Sequence, residues 1–122
     1  MSSKADVCVL LLVAIGMFAT TAQAHPKLLA SNPAPGASLR VAPKSIRMSF
    51  SEGLVVRFTG LELKTTGGKV IATGKAILDG NNKTIAVPVE APITPGTYNV
   101  SWHAVSTDTH RISGHYSFKV AR

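Results

Sequence analysis

Thr97-Tyr98-Asn99-Val100-Ser101-Trp102-His103-Ala104 alternates strictly between polar and apolar residues. Successive side chains of an extended chain point to opposite faces. Tyr98, Val100, Trp102 and Ala104 therefore share one face, and Asn99, Ser101 and His103 the other. Ser113 to Val120 repeats the pattern, with Tyr116, Phe118 and Val120 inward and His115, Ser117 and Lys119 outward.

Outward from this pair the same period recurs in shorter runs. Ser45 to Phe50 places Ile46, Met48 and Phe50 on one face, and Gly60 to Lys64 does the same with Leu61 and Leu63. Gly67-Gly68 can adopt positive φ and predicts a turn into Val70 and Ile71. Asp79-Gly80-Asn81-Asn82 predicts another before Thr84 to Val87. Pro88, Pro92 and Pro95-Gly96 oppose regular ladder pairing between there and Thr97. No segment after residue 24 sustains a 3.6-residue apolar period over three turns. About seven short strands separated by Gly, Pro and Asn punctuation predict an all-β, Greek-key β-sandwich. Ser31-Asn32-Pro33-Ala34-Pro35-Gly36 reads as a loop carrying the N-terminal strand across one end of it.

Residues 1–24 have the marks of a secretory leader. A short polar start with Lys4 precedes the apolar run Val7 to Ala19, which is too short to cross a bilayer. Ala22-Gln23-Ala24 then gives a small-residue cleavage pattern directly before His25. Cleavage there leaves residues 25–122 as one domain with a modest core. It also removes Cys8, the only cysteine, so a disulfide, a thiolate ligand and a cysteine nucleophile are all excluded, and with them blue-copper electron transfer. Export without a disulfide fits a bacterial periplasm.

The formal charge of +7 is spread over strand and turn positions and is not gathered into a run. With one tryptophan, two tyrosines and four phenylalanines, several of them on core faces, the chain lacks a stacking platform for nucleic acid. The charge suits solubility and a weak attraction to acidic partners or anionic lipid heads. A monomer, with no stable membrane insertion after cleavage, is expected.

Cleavage would turn His25 into a chelator, because a free α-amine and the Nδ1 of the same residue can close one ring around a metal. Pro26 has no amide hydrogen for a metal to displace, so the chelate stops at two nitrogens and the fold must provide the rest. Asp108 and His110 lie two residues apart, and on an extended segment alternate side chains point the same way. Alone, Asp-x-His equally describes an Asx-turn and a solvated histidine. Joined to His25, the set is an amine, two imidazoles and a carboxylate, which suits copper(II) by number and geometry. His103 and His115 fall on outward faces and are expected in solvent, with a weak site across paired strands as the alternative. Glu52 either orients a ligand or caps a turn. Trp102 is expected to anchor the core.

These features together resemble the periplasmic copper-resistance protein C (CopC) family. The resemblance is carried by His25-Pro26-Lys27-Leu28, Asn32-Pro33-Ala34-Pro35-Gly36, Phe50-Ser51-Glu52, Pro95-Gly96-Thr97-Tyr98, Trp102 to His110, and Ser113-Gly114-His115-Tyr116-Ser117-Phe118. It implies an immunoglobulin-like sandwich of cupredoxin-like topology that binds one copper(II) per monomer through His25, Asp108 and His110. It also implies exchange of copper with a CopD-type inner-membrane protein. One departure stands out: where some members carry a methionine-rich loop for copper(I), this chain reads Thr65-Thr66-Gly67-Gly68-Lys69-Val70-Ile71-Ala72. Copper(I) prefers soft thioethers, so the expectation is a copper(II)-only, non-enzymatic carrier or buffer. The alternatives are an oxidative enzyme with a histidine brace and an adhesion sandwich with incidental metal binding.

Overall fold

The computed structural model describes residues 25–122, and the expected leader lies outside them. Nine strands form along these residues: β1 (Leu28–Asn32), β2 (Ser38–Leu39), β3 (Ser45–Phe50), β4 (Gly60–Thr65), β5 (Val70–Ile71), β6 (Ile77–Leu78), β7 (Thr84–Pro88), β8 (Gly96–Val105) and β9 (Arg111–Val120). A short 3-10 turn, Val56–Phe58, separates β3 from β4. The strands assemble into a four-stranded sheet, β1-β3-β7-β6, and a five-stranded sheet, β2-β9-β8-β4-β5. This is the β-sandwich that the alternating pattern predicts.

The count exceeds the expected seven because of β2 and β6. Each has only two residues, too few for alternation to register in sequence, and each exists by pairing with a longer neighbour. β2 lies parallel to the end of β9, and β6 lies antiparallel to β7. The Pro-rich loop after β1 therefore moves the chain from one sheet to the other. Pro88 ends β7, where a missing N–H is tolerated.

β8 and β9 pair without interruption from Gly96 opposite Val120 to Val105 opposite Arg111. Their inward residues Tyr98, Val100, Ala104, Phe118 and Val120 are buried against Ile46, Met48, Phe50, Ile85 and Val87 of the other sheet. Burying each large side chain contributes about 1.5–3 kcal/mol as an upper estimate. A one-residue slip of β3 would send Ile46, Met48 and Phe50 into water together, so the register is strongly specified.

Trp102 is only half-buried, yet it joins the sheets: its ring meets Phe50 edge-on at 5.5 Å between centroids. It also lies flat across Gly114, its partner on β9. A Cβ at position 114 would stand 2.5 Å from Trp102 Cζ2 and 2.8 Å from Cε2, so the ring would have to leave its place against Phe50. Gly114→Ala is therefore expected to destabilise the domain by about 1–3 kcal/mol. Thermal denaturation followed by tryptophan fluorescence measures this, and an unchanged midpoint with an unchanged emission maximum would contradict the packing described.

Candidate metal centre

The connection from β8 to β9, residues 106–110, is organised around a serine. Ser106 is fully buried and forms an isolated bridge with Leu54. Its N–H donates to the His110 carbonyl at 2.9 Å, and its hydroxyl oxygen accepts the His110 N–H at 3.2 Å. The same hydroxyl donates to Asp108 Oδ1. Between these residues Thr109 has φ of 72°, a conformation uncommon for a β-branched residue and costing on the order of 1–3 kcal/mol. It is held there by its N–H to the Ser106 carbonyl at 2.9 Å and its hydroxyl to the Asp108 carbonyl at 2.5 Å.

Asp108 and His110 do converge, but not in the way pleat alternation predicts. The segment is a turn and not a strand, and the left-handed step at Thr109 together with the two-way bonding of Ser106 brings the side chains side by side. His110 Nδ1 stands 3.1 Å from Asp108 Oδ2.

His25 reaches this turn through a second set of contacts. It is exposed, but the next residue, Pro26, is buried. Beyond it the Lys27 N–H donates to Ser51 Oγ at 2.9 Å, and the Ser51 N–H donates to the Lys27 carbonyl at 2.9 Å. Two residues further on, the Gly53 carbonyl accepts the Thr107 N–H at 2.9 Å. The segment following β3 is thus bonded both to the residues after His25 and to the β8–β9 turn. As a result the His25 ring meets His110 edge-on, with centroids 5.2 Å apart and planes at 79°.

Electrostatics favour an ionised carboxylate at the turn. The Ser106 hydroxyl first, and His110 beside it second, hold the Asp108 carboxyl below its ordinary value of 3.8. His110 Nδ1 is buried, and its close polar contact is the Asp108 carboxylate at 3.1 Å. Two ligands bound at about 2 Å and at right angles on one tetragonal ion stand about 2.8 Å apart, close to the spacing of Nδ1 and Oδ2. The donor types, imidazole and carboxylate, suit copper(II).

Among the described residues, no three His, Cys, Asp or Glu side chains converge tightly enough to hold an ion by themselves. Asp108 and His25 each neighbour His110, one on either contact. In the uncleaved chain the nitrogen of His25 is a peptide nitrogen, so the amine donor and the chelating pose that goes with it come into existence only when Ala24 is removed.

The other candidates sit elsewhere. His103 and His115 are exposed on the outer face of the five-stranded sheet, as expected. They are diagonal, not opposite, because His103 pairs with Ser113 and His115 with Ser101. Glu52 lies in the segment between Ser51 and Gly53 that links the two halves of the site. Ser51 and Ser106 carry part of the resemblance in sequence, but neither they nor Gly53 are expected there as parts of the site. Locally only Ser106 left a trace, as a hydroxyl two residues before a carboxylate, a spacing common to many turns.

Residues 28–121 match the CopC domain family. The chain is 44% identical over 116 residues to copper resistance protein C of Pseudomonas syringae pv. tomato, covering 89% of this chain and 91% of that one. The crystal structure of PcoC, a methionine-rich copper resistance protein from Escherichia coli, superposes with a TM-score of 0.70 at 36% identity, over 80% of this chain and 99% of that one. CopC from Methylosinus trichosporium OB3b has the same fold, with a TM-score of 0.74 at 20% identity over 80% and 94% of the two chains. With the family match spanning nearly all the described residues and these relatives covered almost end to end, the chain belongs to the CopC domain family.

Proposed function

We propose that this protein acts in copper resistance as a periplasmic, non-enzymatic carrier or buffer of copper(II), binding one ion through the α-amine and imidazole of a cleavage-exposed His25 with Asp108 and His110. The observation that carries this reading is the convergence of three donors: the buried Nδ1 of His110 stands 3.1 Å from the Asp108 carboxylate, and its ring lies against that of His25. The names of the relatives support a role in copper resistance. A CopD-type inner-membrane protein is the proposed exchange partner.

Copper(II) is favoured over copper(I) because the methionine-rich character named for PcoC has no counterpart here. Met48 is the only methionine after residue 24, and it is fully buried on β3. A carrier is favoured over an oxidative enzyme because, among the described residues, Phe50, Tyr98, Tyr116 and Phe118 are buried and Trp102 is packed on Phe50, which leaves Phe58 as a single exposed ring and not a platform for a polymeric substrate.

Calorimetric titration of protein beginning at His25 is expected to give one copper(II) per chain, and His25→Ala to lose most of the affinity. Affinity should fall on acidification, because protons compete with the metal for its amine and imidazole nitrogens. Asp108 does not share in this loss. Its carboxyl is held below 3.8, so its contribution to stability is fully present above that value and is lost only as the pH falls through the lowered one. Unchanged stoichiometry and affinity in His25→Ala, or affinity flat between pH 7.5 and 5.5, would overturn the proposal.

A further inference from the structure

The ligand-bearing turn has a basic neighbour. On the outer face of the five-stranded sheet, a cleft of about 500 Å³ opens between the 3-10 turn and the β8–β9 ends, lined by Arg57, Phe58, His103, Arg111 and Ser113 among others. A second hollow of about 480 Å³ shares Arg57 and His103 with the first and adds Lys75. Arg111 directly follows His110, and its β8 partner Val105 directly precedes Ser106. The cleft thus begins where the candidate metal centre ends. Its far wall hangs from the same framework: the Val55 N–H donates to the Val105 carbonyl at 2.8 Å, and Leu54 bridges Ser106.

The cations of this cleft are unspent. Among the described residues, the ion pairs join Arg47 to Asp79, Lys64 to Glu62, and His110 to Asp108, so neither Arg57 nor Arg111 has a carboxylate partner. Glu62, on the same outer face, is already held by Lys64 at 3.1 Å, and Glu90 approaches only the Gly74 rim of the second hollow. Arg57 is also pre-placed, its guanidinium lying over the Phe58 ring at 4.7 Å. Phe58 is itself 49% exposed, a large ring left in water beside two free guanidinium groups. Guanidinium forks pair bidentately with carboxylates, and a half-exposed aromatic gives an apolar contact between them.

We propose that this cleft is the docking site for an acidic segment of the protein that exchanges copper with this one, its carboxylates pairing with Arg57 and Arg111 so that the partner's metal ligands arrive beside His110. That the partner exchanges copper rests on the function proposed above, whereas the recognition of an acidic segment rests on the cleft. A protein segment is favoured over a bilayer because the cations line a hollow, which a side chain can enter and a plane of headgroups reaches poorly. The overall charge of +7 would speed the encounter.

The test uses protein beginning at His25, with a hexaglutamate peptide as probe and amide chemical shifts as readout. Shifts are expected at Arg57, His103, Arg111 and Ser113, weakening as salt is raised. The double variant Arg57→Gln/Arg111→Gln is expected to bind the peptide about tenfold more weakly. Arg40→Gln/Lys44→Gln, with the same net charge and its changes beside β2 and β3, is expected to bind as the parent does. Equal loss in both variants would overturn the proposal by assigning binding to net charge. So would shifts outside the cleft, or binding to vesicles of anionic phospholipid without binding to the peptide. Copper(II) titration of the same variants keeps the two readings apart: retained copper binding with no peptide binding defeats the docking site alone, and absent copper binding in the parent defeats the function proposed above.

Discussion

Acetylating the α-amine of protein that begins at His25 is expected to weaken copper(II) binding by more than about a hundredfold, although it alters no residue of the folded domain. Loss of a group that merely orients a ligand typically lowers metal affinity 10–100-fold, and this change removes a ligand together with its chelate ring. Once acetylated the nitrogen of His25 is an amide with no amine beside it to anchor a chelate, and Pro26 offers no second nitrogen for the metal to recruit. The imidazole of His25 would remain beside His110, with ring centroids 5.2 Å apart, but as a single donor. Stability should hardly change, because His25 is exposed and the chain is anchored only from buried Pro26 onward, through the Lys27–Ser51 hydrogen bonds. Calorimetry and thermal denaturation on the two forms separate these effects. Equal affinity with and without the acetyl group would remove the amine from the ligand set.

Ser106→Ala is expected to damage both the fold and the site. The hydroxyl is fully buried, accepts the His110 N–H and donates to the Asp108 carboxylate. Its loss leaves a part-buried N–H without its acceptor, at about 1–3 kcal/mol. It also loosens the turn that keeps Thr109 at φ of 72°. For a domain of this size each kcal/mol lowers the melting temperature by roughly 4–8 °C. With the turn relaxed, Asp108 and His110 no longer stand at a ligand spacing, and copper(II) affinity should fall by about 10–100-fold. A lowered melting temperature with unchanged copper affinity would mean that Ser106 packs the loop without positioning its ligands.

The sandwich was legible wherever strands are long enough to alternate. β3, β8 and β9 carry mostly apolar residues at every second position, with Gly114 the exception that makes room for Trp102, and burial follows that period. β2 and β6 were invisible because two residues have no period; their pairing comes from neighbours formed elsewhere in the chain. The site was legible as chemistry, since Ala22-Gln23-Ala24 singles out His25 and a carboxylate and an imidazole stand two apart at 108 and 110. Its geometry was not. What sets Asp108 beside His110 is the burial of Ser106, a left-handed threonine and a Gly53 carbonyl reached across the fold, none of which is written in the spacing. The basic cleft was hidden for the same reason: Arg57 and Arg111 are remote in sequence and share a hollow only because Val55 bonds to the end of β8.

The decisive comparison is copper(II) electron spin resonance on two preparations, one shown by mass spectrometry to begin at His25 and one retaining Ala24. Protein beginning at His25 should give a tetragonal signal with coupling to three nitrogens, one amine and two imidazoles, and the retained residue should change both the coupling and the signal position. Identical spectra from the two preparations would contradict a metal centre completed by cleavage at His25.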